Sequence, residues 1–347
     1  MKKYNQMLYH RGNCLNLKKT YPRECRLCIQ TCPHNAISEQ KDINLDKCTE
    51  CGVCMAVCPS DGFVDRDMRQ IGAYIQESES CVLNCPMAEP WGYEIACIGM
   101  LDKDALTALM LMSGIKNVRI LTGDCMTCTD RKASEISRQT IEDIAAQWPD
   151  YPKITIEKVP TGQGDAHGQK EPVKKPLLAR PKKSIRNTVR EFGMEKLRTA
   201  FPAIESDDVY AVPKTREWLI ETLRRHPDQT MKVPIKVISA NNQCSGCGVC
   251  TRICPQQALG FRQKGNRKLL VYEPSQCVQC GRCIDICGSR VLRFENRPLT
   301  LQFLTGKVLL CEADSYHCSR CGKQIYTNTE SELCAACAAT ESAKEQP

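Results

Sequence analysis

The sequence is poor in aromatic residues and contains no long hydrophobic segment. Phe, Trp and Tyr make up 5% of its 347 residues, so packed apolar cores are modest and bound metal must supply part of the fold's stability. The longest apolar stretch, Ala105–Met112, is far too short to span a bilayer. The N-terminal segment MKKYNQMLYHRGNC is basic but lacks the apolar core of a signal peptide. We therefore expect a cytoplasmic protein without a transmembrane segment.

Motifs for nucleotide cofactors are also missing. The sequence has no glycine-rich dinucleotide fingerprint and no P-loop, so binding of flavin, nicotinamide or nucleotide is unsupported. It also lacks a constellation of residues for general acid–base catalysis. We therefore expect a non-catalytic chain whose partner subunits carry out the bond-making chemistry.

The net charge of +8 is concentrated in one segment. Residues 170–190 contain eight basic side chains and one acidic one, Glu171, and they follow the glycine-rich stretch TGQGDAHG. Three prolines occur in the same segment. This composition indicates a solvated linker, and we expect no binding to nucleic acid.

Cysteine is abundant, with 26 residues. In a reducing compartment so many thiols are metal ligands more often than disulfides. Two runs near the C-terminal end, CSGCGVCTRIC and CVQCGRCIDIC, share the spacing CxxCxxCxxxC. In this pattern three cysteines bind one 4Fe-4S cluster and the fourth binds the neighbouring cluster. The two predicted ligand sets are Cys244, Cys247, Cys250 and Cys287, and Cys277, Cys280, Cys283 and Cys254.

The N-terminal region repeats this pattern imperfectly. Its second run, CTECGVCMAVC, is complete, but the first run, CRLCIQTC, has Pro22 where the first ligand is expected. Cys14 is the natural replacement, supplied by a longer loop. The alternative is a 3Fe-4S cluster or no cluster at this position, with Cys14 free. The two predicted sets are Cys14, Cys25, Cys28 and Cys58, and Cys48, Cys51, Cys54 and Cys32.

Both arrays resemble the bacterial-type two-cluster ferredoxins, over about 55 residues each. The resemblance implies a βαβ-βαβ fold, two 4Fe-4S clusters per domain and one-electron transfer. Short apolar segments between the runs, Ala258–Phe261 and Leu269–Tyr272, predict a β-hairpin beside the clusters. The N-terminal copy has Ala36-Ile37 and Ile43–Leu45 in the same places. Gly288 stands where the family usually has proline, which puts the turn after Cys287 in doubt.

The middle region alternates between predicted strands and helices. SCVLNC, EIACIG, NVRILTG and KITIEKV predict strands, and the predicted helices run from Leu101 to Ser113 and from Thr129 to Trp148. Asp102 is a possible cap of the first helix and Gly114 its end. This alternation favours a parallel sheet. Because the ends of parallel strands meet at one sheet edge, at least four of five cysteines can meet there: Cys81, Cys85, Cys97, Cys125 and Cys128.

The middle segment ACIGMLD…ALTALMLMSGIKNVRILTGDCMTC resembles the δ subunit of methyl-viologen-reducing hydrogenase over about 80 residues. That resemblance implies a 2Fe-2S cluster and a link to heterodisulfide reductase. Two other interpretations stay open: a redox-active dithiol formed by Cys125 and Cys128 at a helix start, and buried inert cysteines.

Two CxxC pairs in the C-terminal tail predict a four-thiolate site, most often structural zinc in a zinc-ribbon-like module. A rubredoxin-like iron site is the alternative, and Cys311 is either a packing residue or an additional thiol. The predicted ligands are Cys318, Cys321, Cys334 and Cys337.

Together these patterns predict an α+β multi-domain chain in which two ferredoxin-like βαβ-βαβ domains flank a small α/β domain. The expected domains are 1–70 (two 4Fe-4S clusters), 71–160 (α/β, a possible 2Fe-2S cluster), 161–235 (basic linker and amphipathic helices packed on the neighbouring ferredoxin domain), 236–310 (two 4Fe-4S clusters) and 311–347 (zinc-ribbon-like tail).

The predicted function is that of an iron–sulfur electron-transfer subunit, a polyferredoxin, in an anaerobic oxidoreductase complex. The expected partners are a hydrogenase, a formate dehydrogenase or a heterodisulfide-reductase-like flavoprotein. The alternative is a dithiol/disulfide oxidoreductase that acts at Cys125 and Cys128.

Overall fold

The computed structural model describes residues 7–65, 67–147, 154–159, 212–227, 234–241 and 243–327, together with 333, 334, 337 and 340. The basic linker and the amphipathic segment REFGMEKLRTAF lie outside the described residues. The chain divides into two compact units: Met1–Lys18 with Cys25–Gln229, and Lys19–Glu24 with Thr230–Pro347. In the described part of the chain, no helix has the length and apolar character needed to cross a membrane.

The first unit begins with short elements around the N-terminal cysteine runs. Strands β1 and β2 pair in antiparallel fashion, and the ring of Tyr9 stacks on that of Phe63 with centroids 4.9 Å apart. The predicted inner strand pair is reduced to a single antiparallel bridge between Ile37 and Ile43. The elements are β1 (Met7–Tyr9), α1 (Leu15–Lys18), α2 (Leu27–Thr31), α3 (Val53–Val57), β2 (Phe63–Asp65) and α4 (Met68–Glu77).

The middle region of this unit is the predicted parallel sheet. Its strands are all parallel, in the order β4-β3-β5-β6. The predicted cap of α5 is confirmed, because a side-chain oxygen of Asp102 accepts a 2.8 Å hydrogen bond from the backbone N–H of Ala105, and Gly114 ends the helix. The elements are β3 (Cys81–Asn84), β4 (Tyr93–Glu94), α5 (Lys103–Ser113), β5 (Val118–Thr122), α6 (Arg131–Gln147) and β6 (Thr155–Lys158).

The second predicted strand, EIACIG, is wrong over most of its length. The strand is limited to Tyr93–Glu94, and Ile98–Met100 forms a 3-10 turn. The buried hydroxyl of Ser137 on α6 donates to the carbonyls of Ile98 at 2.7 Å and Leu101 at 3.1 Å. These bonds satisfy carbonyl groups that a strand would have paired within the sheet.

Helix α7 (Lys214–Arg225) closes the first unit. It packs on α5 and α4 of the same unit, and the backbone N–H of Lys214 donates to Oδ2 of Asp61, in the N-terminal ferredoxin-like domain, at 2.8 Å. Gly72 lies against the indole of Trp218, where an added Cβ would come within 2.3 Å of Nε1. The amide of Gln76 also donates to the hydroxyl of Thr222 at 2.7 Å. The apolar face of α7 is therefore buried on the middle region.

The second unit contains the other pair of cysteine runs. The predicted hairpin is confirmed, since β8 and β9 pair in antiparallel fashion from Leu259↔Tyr272 to Lys264↔Arg267. Strands β7 and β10 form a separate antiparallel pair. The elements are β7 (Pro234–Ala240), α8 (Val249–Ile253), β8 (Leu259–Lys264), β9 (Arg267–Tyr272), α9 (Arg282–Asp285), β10 (Leu292–Pro298), α10 (Leu301–Thr305), β11 (Val308–His317) and β12 (Gln324–Thr327).

The C-terminal module shares a sheet with this hairpin. The strand order is β12-β11-β9-β8, so the expected boundary at residue 311 falls inside β11. The ammonium of Lys268 on β9 lies over the rings of Phe261, at 4.2 Å, and Tyr326, at 4.7 Å. The cysteine pairs of the tail are thus held on an extension of the ferredoxin hairpin.

Candidate iron–sulfur and four-thiol centres

Three of the four cysteine loops share one backbone conformation. In each, the residues on both sides of the second cysteine have positive φ: Glu50 and Gly52, Gly246 and Gly248, and Gln279 and Gly281. Glycine occupies the second of these positions because a left-handed conformation costs other residues about 1–2 kcal/mol. Two left-handed residues curl the loop so that its thiols converge.

The loop CRLC is the exception, because helix α2 starts directly at Leu27 and Arg26 has a φ of −125°. This is also the loop that has Pro22 in place of a first cysteine. The altered conformation agrees with a fourth thiol that comes from elsewhere in the chain.

The turn after the last cysteine of each run is repeated four times. The residue three positions after that cysteine has φ between 48° and 54° in every case: Asn35, Asp61, Gln257 and Arg290. The N–H of Arg290 donates to the carbonyl of Cys287 at 2.9 Å. Gly288 therefore leaves this turn unchanged, although it replaces the usual proline.

The structure brings Cys14 to the first cysteine set of the N-terminal domain. Burial raises the pKa of the Cys28 thiol to about 11, and the charges of its neighbours Cys58, Cys25 and Cys14 raise it as well. The side chain of Asn16 holds the two distant parts of this set together, since it donates to the carbonyl of Cys25 and accepts from its N–H, both at 2.9 Å. The four predicted residues are therefore neighbours.

The second N-terminal set is also assembled. Burial raises the pKa of Cys54 well above its ordinary value, and the neighbouring thiols of Cys51, Cys48 and Cys32 act in the same direction. Cys28 contributes too, so the two sets lie side by side. A cavity lined by Cys32, Cys48, Cys51 and Cys54 lies between these thiols.

The two sets of the second unit are assembled in the same way. Burial raises the pKa of Cys250 to about 12, and the charges of its set members Cys244, Cys247 and Cys287 raise it further. Burial likewise raises the pKa of Cys283, and the charges of Cys277, Cys254 and Cys280 raise it further.

Backbone N–H groups point at several of these sulfurs. Cys32 accepts from the N–H of Ala36 at 3.3 Å, and Cys254 accepts from that of Ala258 at 3.2 Å. Cys58 accepts from the N–H of Gly62 at 3.1 Å. Such donors stabilise thiolate ligands and tune cluster potentials. Four converging thiols with N–H donors to their sulfurs fit a 4Fe-4S cluster.

Four of the five cysteines in the middle region gather at the C-terminal edge of its parallel sheet. The Sγ of Cys85, just after β3, accepts from the N–H of Gly123 at 3.4 Å and lies near Cys125. Burial raises the pKa of Cys97 to about 12, and the charges of Cys51 and Cys85 raise it further. Cys128 follows on the same loop as Cys125 and accepts from the N–H of Asp130 at 3.4 Å.

The structure does not bring Cys81 to this edge. Cys81 opens β3, whereas Cys85 follows its last residue. Cys81 is fully buried, and its N–H donates to the carbonyl of Asn117. Burial raises the pKa of its thiol, and the positive charge of Lys116 lowers it. The strand itself separates the two thiols, because each residue of a strand advances the chain by about 3.3 Å. Of the five predicted cysteines, Cys81 is thus the one outside the group.

Among the described residues, the tail cysteines form a close group of thiols. The sulfurs of Cys318, Cys321, Cys334 and Cys337 all lie within 4.8 Å of one another. Cys321 and Cys334 are 3.7 Å apart, close to the ~3.8 Å between ligands at the corners of a zinc tetrathiolate with Zn–S bonds of about 2.3 Å. Backbone N–H groups of Cys334 and Cys321 lower the pKa of Cys318 to about 6. The arrangement fits a tetrahedral metal ion.

Cys311 has a position that the sequence did not predict. It is 6% exposed and hydrogen-bonds to Cys244 of the first set in the second unit. Cys311 lies where the pairing of β11 with β9 shifts register, after Leu309. The spacing of cysteines contains no signal for such a contact.

Two family models match the chain where these loops lie. Residues 243–291 match the 4Fe-4S dicluster domain, and residues 21–69 match the LdpA Fe-S cluster-binding domain. Both cysteine arrays are therefore ferredoxin-type domains that bind 4Fe-4S clusters, and the resemblance to bacterial-type ferredoxins is confirmed. The chain is an iron–sulfur electron-transfer protein.

Two curated relatives are similar to parts of the chain. One is a subunit of the ferredoxin:CoB-CoM heterodisulfide reductase from Methanosarcina acetivorans, 32% identical over 74 residues, 21% of this chain and 30% of that protein. The other is the "Ferredoxin-type protein NapF" from Haemophilus influenzae, 35% identical over 66 residues, 17% of this chain and 36% of that protein. The chain thus spans about a third of the length of each relative.

Proposed function

We propose that this chain is a polyferredoxin subunit that relays low-potential electrons within a cytoplasmic, anaerobic oxidoreductase complex. Its partner is a hydrogenase, a formate dehydrogenase or a heterodisulfide-reductase-like flavoprotein, which carries out the bond-making chemistry. The similarity to a heterodisulfide reductase subunit supports a redox partner of this kind.

The observation that carries the proposal is the convergence of sixteen cysteines into four sets of four. Each two-set domain places its sets side by side, since Cys28 is a charged neighbour of Cys54 and Cys250 of Cys283. Adjacent clusters provide successive stations for single electrons. Two such domains in one chain favour a relay over a single donor–acceptor site.

We assign a 4Fe-4S cluster to each of the four sets. Cys85, Cys97, Cys125 and Cys128 hold a fifth centre, for which four thiols at one sheet edge and the resemblance to the hydrogenase δ subunit favour a 2Fe-2S cluster. Cys318, Cys321, Cys334 and Cys337 hold a structural zinc ion. When bound, the clusters supply one-electron redox chemistry, and the protein residues set potentials through N–H donors and burial.

Anaerobic purification from the native source tests the subunit role. We expect about sixteen iron atoms per chain from four 4Fe-4S clusters, about two more from the middle centre, and a dehydrogenase or flavoprotein that co-purifies. A chain with far fewer than sixteen iron atoms contradicts the cluster assignment. A fully loaded chain that is a stable monomer without any partner contradicts the subunit role.

One observation favours a second function. The guanidinium Nη2 of Arg138 donates a hydrogen bond to Sγ of Cys125 at 3.8 Å, and Cys125 and Cys128 are both only partly buried. Cys125 and Cys128 could then act as a dithiol that reduces a disulfide substrate. In that case Cys125→Ser abolishes turnover and leaves the iron content unchanged, whereas loss of iron supports the cluster centre.

A further inference from the structure

The middle region packs directly on one of the two cysteine sets of the N-terminal domain. Cys51, Val53 and Ala133 form a buried cluster, and Cys97 packs against it. At Gly52 the contact is so close that an added Cβ would lie 2.5 Å from the Cβ of Met100. The loop that carries Cys51 therefore touches the turn that follows Cys97, within one compact unit.

Cys97, a member of the sheet-edge group, packs against the buried cluster that contains Cys51. Its charged neighbours include Cys51 of the ferredoxin-type domain and Cys85 of the sheet edge. The ligand set to which Cys51 belongs is Cys32, Cys48, Cys51 and Cys54. The two proposed centres thus share a boundary at Cys51 and Cys97, where Val53 and Ala133 pack beside the thiols.

Asp130 forms hydrogen bonds to residues on both sides of this boundary. Its Oδ1 accepts a 2.6 Å hydrogen bond from Oγ1 of Thr49 and lies 2.7 Å from Nε2 of His34. Its own backbone N–H donates to Sγ of Cys128 at 3.4 Å. The Asp130 and His34 side chains are only 15% and 22% exposed. One residue therefore contacts a thiol of the middle centre and two side chains close in sequence to Cys32 and Cys48.

We propose that electrons pass directly between the middle centre and the Cys32/Cys48/Cys51/Cys54 centre across the Cys51–Cys97 contact, and that Asp130 is the positioning residue that keeps the two together. In this step one centre loses one electron and the other gains it, and no bond is made or broken. The proposal rests on the proposed function, because it requires clusters at both centres.

Electron paramagnetic resonance of the reduced holoprotein tests the contact without any measurement of activity. If the centres adjoin, the signal of the reduced middle centre shows magnetic coupling to a reduced 4Fe-4S cluster, seen as splitting or as faster spin relaxation. In Asp130→Ala we expect this coupling to be weaker, with the iron content unchanged. Thr49→Val removes one of the two hydrogen bonds to the Asp130 side chain, and we expect it to weaken the magnetic coupling less than Asp130→Ala does.

Asp143→Ala is the matched control, because Asp143 bears the same charge and lies on α6, the helix that begins directly after Asp130, where it accepts an exposed hydrogen bond from Gln139. It should leave the coupling as in the unmodified protein. A middle centre that holds iron but shows no coupling in the unmodified protein overturns the inference alone, as does full coupling in Asp130→Ala. A middle centre without iron overturns its assignment under the proposed function, and the inference with it.

Discussion

Nε of Arg216 lies 2.6 Å from Oδ2 of Asp104, and only 6% of the arginine side chain and 19% of the aspartate side chain are exposed. This ion pair joins α7 to the start of α5. Beside it, the hydroxyl of Thr215 donates to Oδ2 of Asp102 at 2.6 Å. The first turn of α7 is therefore held to α5 by polar contacts that water hardly reaches.

We expect Arg216→Ala to weaken the packing of α7 strongly. Removal of one partner leaves the other charge buried and unpaired, which costs about 3–5 kcal/mol. Hydrogen-exchange protection of the α7 amides measures the loss. Arg225→Ala is the control, because Arg225 pairs with Glu221 on the exposed face of the same helix, and such pairs contribute about 1 kcal/mol or less. Equal losses in the two variants would contradict the structure.

The packing of α7 should also weaken as the pH rises. Burial raises the pKa of Asp102 to about 7, and the charge of Asp104 raises it as well. Separation of the helices returns this pKa toward its ordinary value of about 3.9. The packed state therefore holds an extra proton between these values, so its stability is greatest below the ordinary pKa and falls until the pH passes about 7.

Hydrogen-exchange protection factors at about pH 6 and pH 8, corrected for intrinsic exchange, measure this effect. We expect α7 to be less protected at the higher pH. Asp102→Asn keeps an acceptor for the N–H of Ala105 but cannot ionise. In this variant the protection of the α7 amides should therefore not change between the two pH values. If the protection of the α7 amides falls by the same amount in the variant, Asp102 is not the cause of the pH dependence.

Local sequence patterns predicted much of the candidate sites. Ligand spacing is a local property, so CxxCxxCxxxC was sufficient to group Cys244, Cys247 and Cys250. The alternation of apolar runs and helices predicted the parallel sheet, and the capping residue Asp102 marked the start of α5 correctly. Cys81 could also have been placed, since it precedes the apolar run of β3 and Cys85 follows it.

Contacts between distant segments could not be predicted in this way. The apolar stripe of α7 predicts that one face is buried, but it does not identify the surface that covers it. The bonds from Thr49 and His34 to Asp130 depend on how two regions pack, and polar residues at these positions are equally compatible with exposed loops. Cys311 contacts Cys244 beside a register shift in β11, and neither feature has a signature in the cysteine spacing.

The tight contact at Gly52 predicts unequal effects of the same substitution in two equivalent loops. Gly52 and Gly281 both follow the second cysteine of a run, with φ of 81° and 75°. Gly281→Ala adds a Cβ that meets only the ring of Phe294, at 3.9 Å, so it costs about 1–2 kcal/mol of backbone strain. Gly52→Ala has the same strain and also collides with Met100. We expect the Tm of Gly52→Ala, measured anaerobically, to fall further than that of Gly281→Ala. Equal falls in Tm would show that Met100 is not in tight contact with Gly52.

The position of Cys81 makes a prediction about iron content. Cys81→Ala should leave the iron of the middle centre unchanged, because this buried thiol lies at the opposite end of β3 from Cys85. Cys97→Ser should reduce that iron, since Cys97 lies within the thiol group at the sheet edge. Iron analysis together with the visible spectrum distinguishes the two. Loss of iron in Cys81→Ala, or full iron in Cys97→Ser, means that a different set of four cysteines holds the cluster.

The geometry of the tail predicts one zinc ion that is independent of the iron centres. Cys334 contributes a thiol and also donates its N–H to Sγ of Cys318 at 3.3 Å. We therefore expect Cys334→Ser to lower the zinc content below one per chain while the iron content stays unchanged. Cys311→Ser is the control, because Cys311 lies on β11, the strand that ends just before Cys318, but contacts Cys244, so the zinc content of this variant should not fall. Iron instead of zinc in the unmodified tail, with a rubredoxin-like spectrum lost in Cys334→Ser, would identify the alternative four-thiolate iron site.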